Sequence, residues 1–310
     1  VRIGVVISPY ERVPEPDGTT PPDATPRFRD IREQAIAAED LGYASVWLPD
    51  HLLYRPGDAP TFGFWEAWTF LSAIAAVTHR VQLGTFVLCM GYRNPALVAK
   101  EADALDEVSD GRLILGLGAG WHPAEFAGLG MPFQHRGDRF EEALQIICPL
   151  LREGHVDFQG QYHSARDMEL RPRGPRPAGP PILVGTSARS SGRRVRALAA
   201  RYADQHNMWA RRAEQLPEVL TSMDEACLAE GRDPASLVRT VGIVVLERPD
   251  PHDEGPRAPA TIPLADTDAW IETLRGYAAS GVAHVQVVLE PMSIAALDTF
   301  APVVAALREA

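Results

Sequence analysis

The chain has 310 residues, 45% hydrophobic and 23% charged, which suits a globular protein with a full core, one barrel or two ordinary domains in size. Its net charge of −11, from 41 acidic and 30 basic side chains, opposes the balance of a nucleic-acid binder, so no nucleic-acid partner is expected. No apolar run reaches 18 residues, so no membrane span is expected, and Cys89, Cys148 and Cys227 form no CxxC, so neither a zinc ribbon nor a disulfide framework is indicated.

Short runs rich in Val, Ile and Leu alternate with longer amphipathic runs, eight times over. The first strand is read at Arg2–Ser8. It is too short and wrongly flanked for a signal peptide, which leaves the cytoplasm as the expected compartment. A link with five prolines, Tyr10 to Pro26, leads to a helix over Phe28–Leu41. The second strand, Ala44–Pro49, ends in Asp50-His51, and a polar link from His51 to Gly63 precedes a helix over Phe64–Thr78. An aspartate and a histidine at a strand end are well placed for catalysis, because imidazole exchanges protons near neutral pH. Asp50 can equally cap the loop, and His51 can simply pack.

The third strand, Val81–Val87, carries Thr85, Phe86 and Val87 and leads through Tyr92-Arg93-Asn94-Pro95 into a helix over Pro95–Ser109. Pro95 suits the first helical position, and Leu97, Val98, Ala102, Leu105 and Val108 trace one apolar stripe. The fourth strand, Arg112–Leu117, runs into Gly116-Leu117-Gly118-Ala119-Gly120-Trp121. Glycines at alternate positions clear one face for a flat ring. The GxGxG spacing and the following Trp-His-Pro reject a dinucleotide fingerprint. A helix over Asp138–Glu153 follows, then a small hairpin around Val156–His163, an insertion before the fifth strand.

The fifth strand, Pro181–Gly185, opens into Gly185-Thr186-Ser187-Ala188-Arg189-Ser190-Ser191-Gly192-Arg193-Arg194 and a helix over Gly192–Arg201. Backbone N–H groups, hydroxyls and arginines at a helix start make an anion site; an ordinary N-cap with solvated arginines is the simpler reading. The remaining strands are Ala203–Met208, Arg239–Val245 and Ala283–Leu289, with helices over Ala213–Glu230, Thr267–Ser280 and Ile294–Arg308. The strands do not alternate strictly, which suits a parallel sheet covered on both faces. Eight strand–helix units favour a closed (β/α)₈ barrel, read as one domain over residues 1–310, with long top loops carrying the site. An open doubly wound sheet would want a phosphate loop after the first strand, and Ile7-Ser8-Pro9-Tyr10 has no glycine. His122 and Glu125 with Asp50 and His51 are a weak metal candidate. Barrel hydrolases want His-x-His at the first strand, where this chain has Ile7-Ser8-Pro9, so no metal is expected.

Together and in this order, Tyr92-Arg93-Asn94-Pro95, Asp110-Gly111-Arg112-Leu113 and Gly118-Ala119-Gly120-Trp121 make the chain resemble the luciferase-like flavin monooxygenases and their relatives that use the deazaflavin coenzyme F420. The resemblance runs from Ile3 to about Leu289. It implies a flavin-type oxidoreductase, with coenzyme F420 as the first expectation and FMN as the alternative. Gly185, Thr186, Ser187, Ser191 and Gly192 would hold the coenzyme phosphate. Asp50, Thr85, Phe86, Val87, Gly118 and Gly120 would contact the coenzyme, with a non-prolyl cis peptide at Phe86–Val87. His51 would move the proton, and Tyr10, Trp65, Trp121 and Trp209 would line the substrate pocket. A small-molecule substrate, a homodimer and, for FMN, a separate flavin reductase are the implied partners. The chain departs from the sugar-phosphate dehydrogenases of this family in having Trp121 where they carry a glutamate, and in reading Ala203-Asp204-Gln205-His206 where Ala-Asp-Gly is usual. A cofactor-free binding subunit and a metal-dependent barrel hydrolase are the readings of another class.

Overall fold

A computed structural model describes residues 1–11, 25–55, 61–186, 193–209, 216–248 and 262–308. Eight parallel strands close into a barrel: β1 (Arg2–Val6), β2 (Ser45–Leu48), β3 (Gln82–Thr85), β4 (Leu113–Gly118), β5 (Ile182–Thr186), β6 (Gln205–Trp209), β7 (Val238–Leu246) and β8 (Val282–Glu290). Each falls on an expected strand. The ring closes where Ile182 pairs with Leu115 and where Ile3 pairs with Val285, which leaves no open edge.

The helices are α1 (Phe28–Asp40), α2 (Ala67–Ala75), α3 (Pro95–Val108), α4 (Arg136–Glu153), α5 (Arg193–Tyr202), α6 (Leu216–Ala229), α7 (Thr267–Ala279) and α8 (Ile294–Arg308). Helix α2 starts three residues later than expected. Leu53–Tyr54 and Phe62–Gly63 form an antiparallel hairpin, Phe64 bridges to Tyr10, and the Glu66 carboxylate caps the helix by accepting from the N–H groups of Trp68 and Thr69. Asn94 and Pro95 start α3 as read from sequence, but its buried face is Val98, Ala99, Ala102 and Leu105. Leu97 and Val108 are 55% and 57% exposed, so the expected stripe is narrower than drawn. A short helix, Pro123–Gly128, lies inside what reads as loop, because Pro123 serves as a first-turn residue. The insertion before β5 is a hairpin of His155–Gln159 with Ser164–Glu169.

Two glycines make the barrel interior possible. A Cβ on Gly84 would lie 2.1 Å from the buried Trp47 ring, and one on Gly4 would lie 2.0 Å from Ser45 Oγ. Below the indole the interior is polar: Trp47 Nε1 donates to Ser45 Oγ at 2.6 Å, which sits 2.8 Å from His284 Nε2. Asn207 Nδ2 donates to Thr240 Oγ1 and Gln286 Oε1, both at 2.8 Å. Above it lies a separate apolar layer of Val6, Trp47, Phe86, Ile114 and Leu183, partly open at Val87 and Trp209. At the opposite end the Arg112 guanidinium donates to the carbonyls of Ala75, Thr78, Val81 and Ser109, tying the α2–β3 and α3–β4 connections together. The Asp110-Gly111-Arg112 segment therefore serves the bottom of the barrel.

Candidate functional site

The strand-following ends converge on one rim. The Phe86–Val87 peptide is cis, as expected. Its consequence differs from the sequence reading. A Cβ on Gly118 would meet Val87 Cγ2 at 2.7 Å, and one on Gly185 would meet both Val87 methyls at 3.0 Å. The space that Gly116, Gly118 and Gly185 leave is filled by Val87, not kept clear for a ring approaching the backbone. Gly116 is the tightest of the three, since its Cβ would fall 2.0 Å from the Thr85 carbonyl oxygen. Gly116→Ala should therefore lower stability by about 1–3 kcal/mol, read as a shift in urea midpoint at constant slope. Gly120 takes φ +77°, and a Cβ there would sit 2.4 Å from Cys89 Sγ. Its role is backbone shape and packing.

Four more expectations are corrected. Asp50 is buried, and its carboxylate is occupied: it accepts from Arg93 Nη1 (2.7 Å) and Nη2 (2.9 Å) and from the Cys89 N–H (2.7 Å). Burial pushes its pKa up although Arg93 and the Cys89 amide pull it down. The bidentate pair clamps the segment after β3 against the end of β2. Thr85 is fully buried and donates to the Gly116 carbonyl. Thr186 donates to the Asn207 carbonyl and lies 2.8 Å from His206 Nε2, so its hydroxyl faces β6. Trp65 points outward, donating to the Pro26 carbonyl and stacking on Phe70 at 5.7 Å. Its neighbour Phe64 takes the inward place, because successive residues of an extended segment face opposite ways. Ser187, Ser191 and Gly192 lie outside the described residues.

His51 is the centre of what remains. Its Nδ1 lies 3.1 Å from Glu125 Oε2 and 3.2 Å from Oε1. Glu125 is 1% exposed and also accepts from the Leu52 N–H (2.7 Å) and Tyr92 Oη (2.9 Å). Burial alone would raise the pKa of Glu125, but the bonds from His51, Leu52 and Tyr92 outweigh it and hold the group ionised. A carboxylate on Nδ1 fixes the Nδ1–H tautomer and leaves Nε2 as the exchanging atom. Burial pushes the Tyr92 hydroxyl well above the usual phenol range, so it stays a donor. Tyr92→Phe should cost about 1.5–3 kcal/mol in urea unfolding, the worth of a bond to a charged group.

Around His51 stands a layer of rings. Phe64 and Trp121 lie 5.4 Å from its centroid. Tyr54 stacks on His122 at 5.0 Å and meets Phe62 at 5.2 Å and Trp121 at 5.8 Å; Tyr10 meets Phe62 and Phe64. Trp209 stands edge to face against Phe86 at 5.3 Å. His122 Nε2 accepts from the Arg55 N–H, and burial lowers its pKa, so it is neutral and occupied. Among the described residues no three His, Cys, Asp or Glu side chains converge to hold a metal. His206, unusual in sequence, is a fully buried wall residue, its pKa pushed down to about 3 by burial.

Sequence reasoning missed Tyr92, Arg93 and Tyr54 as parts of the site, and it considered Glu125 beside His51 only as a weak metal candidate. Pro123 was the available signal for Glu125, since a helix starting there puts Glu125 in its first turn. The others needed the hairpin and the third-strand segment in space. A cavity of about 630 Å³ opens at the other end of the barrel, between Arg2, Tyr43, Arg80 and Arg308. In a parallel barrel the chemistry belongs where loops follow the strands, and the His51 cluster is there.

The chain is 36% identical over 175 residues to an F420-dependent glucose-6-phosphate dehydrogenase of Amycolatopsis mediterranei, covering 52% of this chain and 51% of that protein. It thus spans about half the length of that relative. Among solved structures, an F420-dependent secondary alcohol dehydrogenase with an F420-acetone adduct superposes with a TM-score of 0.77 over 99% of both chains at 21% identity. The monooxygenase RslO1 from Streptomyces bottropensis gives 0.74 over 100% of this chain and 98% of its own, also at 21%. These likenesses show the fold. The luciferase-like monooxygenase family model matches residues 2–253, so the chain belongs to that family.

Proposed function

We propose that this protein is a coenzyme F420-dependent oxidoreductase that passes a hydride to or from a small organic substrate at the His51 rim. The observation that carries the reading is a histidine held through Nδ1 by a buried carboxylate, at the loop-bearing end of the barrel. The names of the relative and of the alcohol dehydrogenase support the choice of coenzyme.

The described residues fit a planar coenzyme. Val87, seated on Gly118 and Gly185 and flanked by Phe86 and Trp209, makes an apolar floor at the centre of the rim. A deazaflavin supplies two-electron hydride exchange and, with carbon in place of the reactive ring nitrogen, reacts poorly with oxygen. His51 Nε2 gives or takes the substrate proton, Glu125 holds the ring and its tautomer, and the surrounding rings keep water from the reacting atoms. Within this reading the protein is one domain, cytoplasmic and homodimeric. Its closed β1–β8 pairing supports the first point, and the resemblance supports the homodimer. Among the described residues no helix is long and apolar enough to cross a membrane.

FMN is the second reading, favoured by the likeness to RslO1, and it would call for a flavin reductase as partner. Fluorescence titration of the purified chain with F420 and with FMN decides. Saturable binding of F420 that is tighter than that of FMN is expected. Tighter FMN binding would move the assignment to a monooxygenase, and binding of neither would leave a partner subunit or, with zinc found by elemental analysis, a hydrolase.

A further inference from the structure

We infer that the ring layer over His51 is a subsite for an uncharged cyclic molecule presented by its flat face, rather than for a phosphorylated sugar. The inference rests on the reading of the rim as an oxidoreductase site and adds the substrate class. Trp121 is 50% exposed, yet its indole stands edge to face against His51 at 5.4 Å and 80° and leans on Tyr54. An ordered indole left half open to water beside a proton-transfer group is apolar surface awaiting a cover. The rest of the layer, Tyr54, Phe62, Phe64 and Tyr10, comes from the hairpin and from the segment after β1, so it faces the same space.

Among the described residues, three polar groups that border this layer bond within the protein. Arg55 Nε donates to Thr61 Oγ1, Glu11 Oε2 accepts from the Gly63 N–H, and His122 Nε2 accepts from the Arg55 N–H. Beneath it, the Glu125 carboxylate adds a negative charge that opposes a phosphate. The one lysine in the sequence, Lys100, sits on α3 and donates to the Arg171 carbonyl, away from this rim. A ketone or secondary alcohol on an alicyclic or fused aromatic frame meets every condition. In the reducing direction His51 Nε2 would give the carbonyl oxygen its proton, while reduced F420, when bound, would supply the hydride to the carbonyl carbon, leaving the alcohol and oxidised coenzyme.

The test is calorimetric binding of 2-tetralone and of glucose 6-phosphate to the full chain, alone and saturated with F420. 2-Tetralone is expected to bind and glucose 6-phosphate to bind at least tenfold more weakly. Trp121→Ala should weaken 2-tetralone at least tenfold, Trp121→Phe should restore most of it, and Trp65→Ala, on the outward ring, should leave it unchanged. Tighter binding of the sugar phosphate, no 2-tetralone binding, or indifference to Trp121→Ala would overturn the subsite. Failure of F420 to bind would instead overturn the oxidoreductase reading, since the 2-tetralone measurement on the chain alone does not depend on it.

Discussion

His51→Ala should slow reduction of a cyclic ketone by reduced F420 by about 10²–10⁴-fold, the usual contribution of a positioned general acid, with coenzyme affinity little changed. The effect should fall on kcat more than on KM, because the proton is needed in the transition state and not for binding. Glu125→Gln separates the proton from its positioning. A glutamine oxygen can keep the Leu52 N–H, now donated to the carboxylate at 2.7 Å. Its amide N–H₂ would then face Nδ1, which must become an acceptor and move the proton to Nε2. The ring stays in place with the wrong tautomer. The value of kcat should drop, while the fold is kept. A kcat equal to that of the parent enzyme would remove Glu125 from the mechanism, and full activity of His51→Ala would remove His51.

Acidification should destabilise the chain steeply. His206 and His284 are fully buried, and burial pushes both from the ordinary value of 6.5 to about 3. Each is neutral in the folded protein at pH 5, whereas in the unfolded chain each binds a proton below 6.5. Protons bound only by the unfolded chain favour unfolding. Stability is therefore full above about pH 6.5, falls as the pH drops towards 3, and levels off below that. At pH 5 the loss is about 2 kcal/mol for each histidine, about 4 kcal/mol together, against a total of about 5–15 kcal/mol for a typical domain. The environment explains why neither accepts a proton: each has an Nε2 engaged with a hydroxyl, of Thr186 or of Ser45, and an Nδ1 with no hydrogen-bond partner among the described residues. Urea midpoints at pH 7, 6 and 5 measure the slope. The double replacement His206→Asn with His284→Asn should flatten it, whatever its cost at pH 7. An unchanged slope in that variant would show that the acid sensitivity lies elsewhere.

The site was legible where a local pattern carries a local consequence. Asp50-His51 at a strand end gave the rim position of His51, and Trp121 after Gly-x-Gly placed the exposed indole. Side-chain direction was not legible where the neighbour comes from another element. Asp50 looked available until Arg93, from the segment after β3, took its carboxylate. Phe64 and Trp65 are adjacent large rings, and only the Tyr10–Phe64 bridge decides which of them faces inward. The GxGxG run was read as space for a ligand because Val87, which fills that space, comes from the segment after β3.

By itself the sequence determined the alternation of eight strands and eight helices and the helix start at Pro95, because these follow from backbone preferences and hydrophobic periods within a few residues. The tertiary structure alone decided that Glu125 holds His51, that Tyr54 and Phe64 complete the ring layer and that His206 and His284 stay neutral. Hydrogen bonding, ring packing and burial are relations between residues distant in the chain, and their energies exist only once the barrel has closed around them.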